Sequence, residues 1–162
     1  MDDKRIREIV ESAISQVQAE EKPLQSGSSE RSFAHRLAVY MEDDFEKWNV
    51  DCEYNRQGML PKELEGIAGC EIQKKTDRIY PDIIVHHRTN DGEATVGENL
   101  LVIELKNDEV EDVCDRRKLE LLTHPGGYYK YQLGLHINVG DHKFHKTWYK
   151  NGKQVYEEVL FA

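Results

Sequence analysis

An α/β domain (α+β by some conventions), with a central mixed sheet flanked by helices, is the fold class this 162-residue sequence predicts. Three observations predict it. Two N-terminal segments carry apolar residues at the i, i+3, i+4, i+7 spacing of a buried helix face. Three strand-like stretches, "NVDCEYN", "RIYPDIIVHH" and "LLVIELK", follow them. One more helical segment and one more strand complete the order helix, strand, strand, strand, helix, strand. The length suits a single domain over 1–162, divided into an N-terminal helix (1–22), a core (28–139) and a C-terminal β-hairpin (141–161).

In the first segment, over 2–20, Ile6, Ile9, Val10, Ala13, Ile14 and Val17 form the stripe, and Pro23 with "SGSS" breaks it. Ser28 or Ser29 caps a second helix running to about 47, with Phe33, Leu37, Tyr40, Met41 and Phe45 inward. Glu30 lies one turn before Phe33 and Ala34, in line with that stripe. An acid near a helix N-terminus is also simply favourable for the dipole. Val50, Cys52 and Tyr54 alternate as a strand. Residues 56–77, with three glycines and Pro61, read as a long loop with a short helix near 61–67. Residues 78–87 and 100–106 read as two strands, joined by the polar turn-rich "RTNDGEATVGEN" into an antiparallel hairpin. Residues 109–122 fit a helix burying Val110, Val113, Cys114 and Leu121 or Leu122, stopped by Pro125-Gly126-Gly127. "YYKYQLGLHINV" is a further strand with Leu133, Leu135 and Ile137 on one face. The C-terminal ribbon turns at Asn151-Gly152.

Hydrophobic content of 38% beside 33% charged residues describes a solvated globular chain. No apolar run approaches the roughly 20 residues that cross a bilayer, and "MDDKRIREIV" lacks a signal-peptide core. No membrane partner is expected. Cys52, Cys70 and Cys114 are odd in number and lack CxxC spacing, so they read as reduced thiols in a cytoplasmic protein. A net charge of −9 argues against phosphate affinity, but its distribution does not. Residues 116–153 carry 8 bases against 2 acids, interleaved with Tyr128, Tyr129, Tyr131, Phe144, Trp148 and Tyr149. That mixture contacts phosphates and stacks on bases. A β-rich half with core aromatics and solvated lysines gives the same composition.

The chemistry concentrates at "LLVIELKND". Along a strand, Val102, Glu104 and Lys106 share one face and Leu101, Ile103 and Leu105 the other. A buried acid and a buried lysine are costly unless each has a partner or a task. A hairpin register brings Asp82 beside Glu104, at about 5 Å. Two carboxylates so placed repel unless a cation lies between them, and oxygen donors suit Mg²⁺ or Mn²⁺. Lys106 beside such an ion orients or helps deprotonate a water and stabilises charge on a phosphate. The bland alternative is a strand end with a solvated charge pair.

With "YPD" at 80–82 and "ELK" at 104–106 in this element order, the chain resembles the PD-(D/E)xK nuclease superfamily over roughly residues 28–139. The resemblance implies a restriction-endonuclease-like core and metal-dependent hydrolysis of phosphodiester bonds in DNA. It implies Asp82 and Glu104 as metal ligands with the Leu105 carbonyl, Lys106 as the catalytic lysine, and Glu30 as the additional acid many members carry. Gln132 or Lys118 would supply an accessory polar group. Nucleic acid, as DNA, is the expected partner through residues 116–153. A small domain cutting both strands would act as a homodimer, with the acidic N-terminal helix as a candidate interface. The competing expectation is an inactive module of the same fold that binds nucleic acid or a protein. A third is an assembly subunit docking through the N-terminal helix.

Other constellations carry less. His86-His87 and His142-x-x-His145 lack the cysteines that would complete a zinc site. His86 shares the strand face of Asp82, so it is expected near the site without being a ligand. "HPGGYY" lacks phosphate-loop spacing, and no GxSxG element or nucleophilic cysteine signature occurs.

Overall fold

The computed structural model describes residues 1–20, 30–57, 60–64, 78–88, 97–106, 113–139 and 143–161. Helix α1 spans Asp3–Gln18 and α2 spans Glu30–Glu42, followed by a 3₁₀ turn at Asp43–Phe45. Strand β1 is Asn49–Cys52, β2 Arg56–Gln57, β3 Leu60–Pro61, β4 Ile83–His86 and β5 Asn99–Lys106. Helix α3 (Val113–Thr123) precedes β6 (Leu133–Val139), β7 (Lys143–Lys150) and β8 (Lys153–Phe161). The fold is mixed α/β, with a six-stranded sheet in the order β1-β4-β5-β6-β7-β8. The β5–β6 pair is parallel and every other pair in that sheet is antiparallel.

Strand alternation sorts the core into two layers. Leu101, Ile103, Leu105, Leu133, Leu135 and Ile137 face α1 and α2, where Ile6, Ile9, Leu37 and Met41 close the larger cluster. Val102 and Ile84 point the other way, to Leu119 and Leu122 of α3 and to Tyr129, Tyr131 and Tyr149. Helix α3 lies close to the sheet because Gly134 has no side chain: a Cβ there would stand 3.0 Å from the Thr123 Cγ2. That close seating brings the α3 side chains down onto β5.

Several expectations are corrected. The second helix ends at Glu42 instead of 47. Residues 60–61 pair with 56–57 as a two-strand hairpin where the start of a short helix is expected, and residues 65–77 lie outside the described set. The strand over 78–87 shrinks to β4, and Asp82 precedes it instead of standing mid-strand. Pro81 accounts for this, since it has no N–H for the ladder. Val113 is 69% exposed, not buried. Cys114 is disulfide-bonded and only Cys52 is a free thiol among the described residues, so the reading of three reduced cysteines fails. Cys70, His142 and Val110 lie outside the described residues. Among the described residues, no helix is long and apolar enough to cross a membrane.

The predicted turn at Asn151-Gly152 holds, with φ of 53° and 74°. Both residues are left-handed, which fits a tight hairpin turn. A Cβ on Gly152 would also meet the His124 ring at 2.8 Å. Gly152→Ala should therefore cost on the order of 1–3 kcal/mol, read as a lowered urea midpoint with an unchanged slope.

Candidate functional site

The site lies where β4 begins and β5 ends. The β4–β5 ladder pairs Ile83 with Ile103 and Ile84 with Val102, so one further step sets Asp82 opposite Glu104. Asp82 is held there: its Oδ2 accepts the Leu105 N–H at 2.7 Å. Glu104 points away from the α1–α2 layer and is 3% exposed. Its Oε2 lies 3.3 Å from the Lys118 ammonium of α3, which also pairs with Asp115 one turn earlier. Lys106 reaches the other way, to Glu30 Oε1 at 3.5 Å across the N-terminus of α2. Two elements on opposite faces of the sheet thus deliver side chains to one strand end.

Burial is the dominant electrostatic influence. It pushes the Asp82 carboxyl up to about 6, against the Leu105 N–H and the Lys118 charge, while Asp115 and Glu30 push it further in the same direction. Burial also holds Glu104 well above the usual carboxylate range, with Lys118 opposing and Asp115 and Asp82 reinforcing. For Lys118 burial would depress the ammonium, but the Glu104 and Asp115 charges outweigh it and raise it. The lysine therefore stays charged, and Glu104 is an acid that readily takes up a proton. One of its oxygens, Oε1, is buried without a hydrogen-bond partner.

Asp82, Glu104, Lys106 and Glu30 thus lie at one end of the sheet. Of the two accessory candidates, Lys118 enters the site and Gln132 does not. The Gln132 amide donates to Asp3 Oδ1 at 2.8 Å and to the Met1 carbonyl at 3.0 Å, tying down the start of α1. Asp115 and His136 are the residues sequence reasoning missed. His136 is the buried β6 neighbour of Glu104 in the parallel register. Asp115 was legible as the i, i+3 partner of Lys118 on a helix, but His136 depends on a pairing no local pattern encodes. His86 is not part of this cluster. It is buried against Asp51 Oδ2 at 2.9 Å, and burial pushes its imidazole down, so it is neutral near pH 7.

Most rings of the basic, aromatic stretch fill the core, while Tyr128 is 41% exposed. Tyr129, Tyr131, Trp148 and Tyr149 are at most 3% exposed, and Phe144 is 8% exposed. Lys146 is fully buried against Glu11, and Lys150 pairs with Asp3. Composition could not separate the two readings because core tyrosines and stacking tyrosines look alike in a sequence. Helix α1 is likewise spoken for, since its apolar stripe is buried within the chain.

For a divalent cation, the donor chemistry at Asp82 and Glu104 fits: hard oxygen ligands, an orphaned buried carboxylate oxygen, and ionised forms that burial disfavours until a positive charge arrives. Among the described residues, however, no group of three or more His, Cys, Asp or Glu is arranged to hold a metal ion. No family model matches the chain, and neither a curated protein nor a solved structure matches it. A functional reading therefore stands on the site's own geometry.

Proposed function

We propose that the chain is a nuclease that hydrolyses phosphodiester bonds in DNA with Mg²⁺ or Mn²⁺. The observation that carries this reading is the clamping of Asp82 onto the Leu105 N–H beside a buried, under-satisfied Glu104. Such a pair is unfavourable in the protein alone and becomes favourable around a cation. The succession α2, β1, β4, β5, α3, β6 supports a PD-(D/E)xK core as well. Asp82 and Glu104 would hold the ion, with the Leu105 carbonyl as a further ligand. A bound ion would supply charge against the phosphate oxygens and make water more acidic. Lys106 would orient the attacking water, with Glu30 Oε1 3.5 Å from its ammonium across the strand end. Lys118 fixes the rotamer of Glu104.

Purified protein incubated with circular duplex DNA, single-stranded DNA and RNA tests this. Cleavage is expected with Mg²⁺ or Mn²⁺ and none with EDTA, with losses of at least about 100-fold in Lys106→Ala and Asp82→Ala. Because both carboxylates must be ionised to hold the ion and burial raises each of them, the rate should rise from acid toward mildly alkaline values. A profile flat across that range would contradict the assignment.

One observation favours a second reading, a catalytically inactive module of the same fold that binds nucleic acid or a protein partner. The Lys118 ammonium already offsets Glu104 and Asp115 from within the chain. In that case Lys106→Ala would leave binding unchanged and no substrate would be cut.

A further inference from the structure

A cleft of about 560 Å³ opens next to Asp82, and its chemistry is unlike that of the acid cluster. Tyr54, Arg56, Arg78 and Tyr80 are among its lining residues. Tyr80 is 48% exposed, so its ring is open to a ligand. Arg56 and Arg78 are exposed beside it. Behind Tyr54, the Lys62 ammonium lies 5.2 Å from the ring centre. Of the acids nearby, Glu53 pairs with Arg31 at 2.6 Å and Asp51 with His86 and Arg88, while Glu63 lies 3.9 Å from Arg78, a loose contact between two half-exposed groups. What the cleft presents is an open aromatic face flanked by guanidinium groups.

Its position relative to the acids is fixed by backbone. Tyr80 precedes Asp82 by two residues, a reach of at most about 7 Å, and Pro81 between them restricts the chain. From the opposite wall the Glu53 N–H donates to the Asp82 carbonyl at 3.1 Å. A group seated on Tyr80 is thus within one short step of the Asp82–Glu104 strand end.

We propose that this cleft seats one nucleotide of a single-stranded nucleic acid, with its base stacked on Tyr80 and its phosphates met by Arg56 and Arg78. The proposal rests on the nuclease reading and adds a substrate class to it, an unpaired strand or frayed end. Stacking on a protein ring requires a base released from its own stack, which a closed duplex does not offer. An acidic peptide would use the arginines and leave the ring idle.

Fluorescence anisotropy of a short labelled oligothymidylate in EDTA reads binding without cleavage. Tyr80→Ala should weaken it about 5- to 150-fold, the range of one base–aromatic stack, while Tyr80→Phe should bind like the wild type. Arg56→Ala with Arg78→Ala should weaken binding and flatten its salt dependence. The blunt duplex should show no Tyr80 dependence. Wild-type affinity in Tyr80→Ala, or no binding by the wild type, overturns the seat. So does displacement by polyglutamate as effective as by unlabelled oligothymidylate. Cleavage together with Tyr80-independent binding would sink the seat and keep the nuclease. Tyr80-dependent binding without cleavage would keep the seat and favour the inactive module.

Discussion

Asp82→Asn should melt on the order of 5 to 10 °C above the wild-type protein at pH 8 and lose metal-dependent cleavage. The asparagine keeps an oxygen to accept the Leu105 N–H, so the strand-end clamp survives. What it removes is a charge that burial opposes. The Asp82 carboxyl sits at about 6 in the folded chain, against about 3.9 in an unfolded one. A carboxyl raised on folding binds more protons in the native state, so stability falls as pH rises from about 4 through about 6. Above that window the penalty is complete, on the order of 3 kcal/mol; below pH 4 it is absent. The gap between variant and wild type should therefore close on acidification, and thermal melts at pH 4 and pH 8 measure it. A gap of the same size at both values would show that the carboxylate is not the source. Mg²⁺ or Mn²⁺ should raise the wild-type midpoint at pH 8 and leave the variant's in place.

Removing residues 1–20 should unfold the domain. Ile6, Ile9, Val10, Ile14 and Val17 are at most 2% exposed, and burying each contributes about 1.5–3 kcal/mol. Together they rival the about 5–15 kcal/mol that holds an ordinary domain folded. The same cut takes Glu11 from the fully buried Lys146 and Asp3 from Lys150. Loss of one partner of a buried pair costs about 3–5 kcal/mol, which bears on Lys146, whereas the partly exposed Asp3–Lys150 pair contributes about 0–1 kcal/mol. Circular dichroism and a urea titration of the truncated chain should show no cooperative transition. A truncated protein with a wild-type midpoint would restore the view of α1 as a separable assembly helix. The graded version is Ile9→Ala, expected to cost about 2–5 kcal/mol.

Much of the candidate site was legible because its residues lie on regular elements whose periods are short. The two-residue period of β5 places Glu104 opposite Leu105 in facing, and the apolar run around it identifies a buried strand. A turn-rich connection between 87 and 100 implies an antiparallel neighbour, and that alone brings Asp82 to Glu104. The Glu30–Lys106 pair was harder: it needed the start of α2 to overhang the end of β5. Pro81 is visible in the sequence, but that its missing N–H sets the start of β4 shows only in the ladder.

The C-terminal half shows the opposite case. Tyr131, Trp148 and Tyr149 could have stacked on bases or filled a core, and composition is the same for both. The β6–β7 ladder sets Trp148 beside Leu135 and Tyr149 beside Gly134, and Tyr131, just before β6, joins the cluster under α3. His136 reaches Glu104 by the parallel β5–β6 register. Local spacing therefore sufficed for helices, strands and a pair of acids facing one another, since each follows from a repeat of a few residues. Which aromatic rings meet solvent, which lysine reaches Glu104 and where a cleft opens depend on contacts between residues far apart in the chain. Those contacts are selected by the packing of the whole sheet, and no short window of sequence contains them.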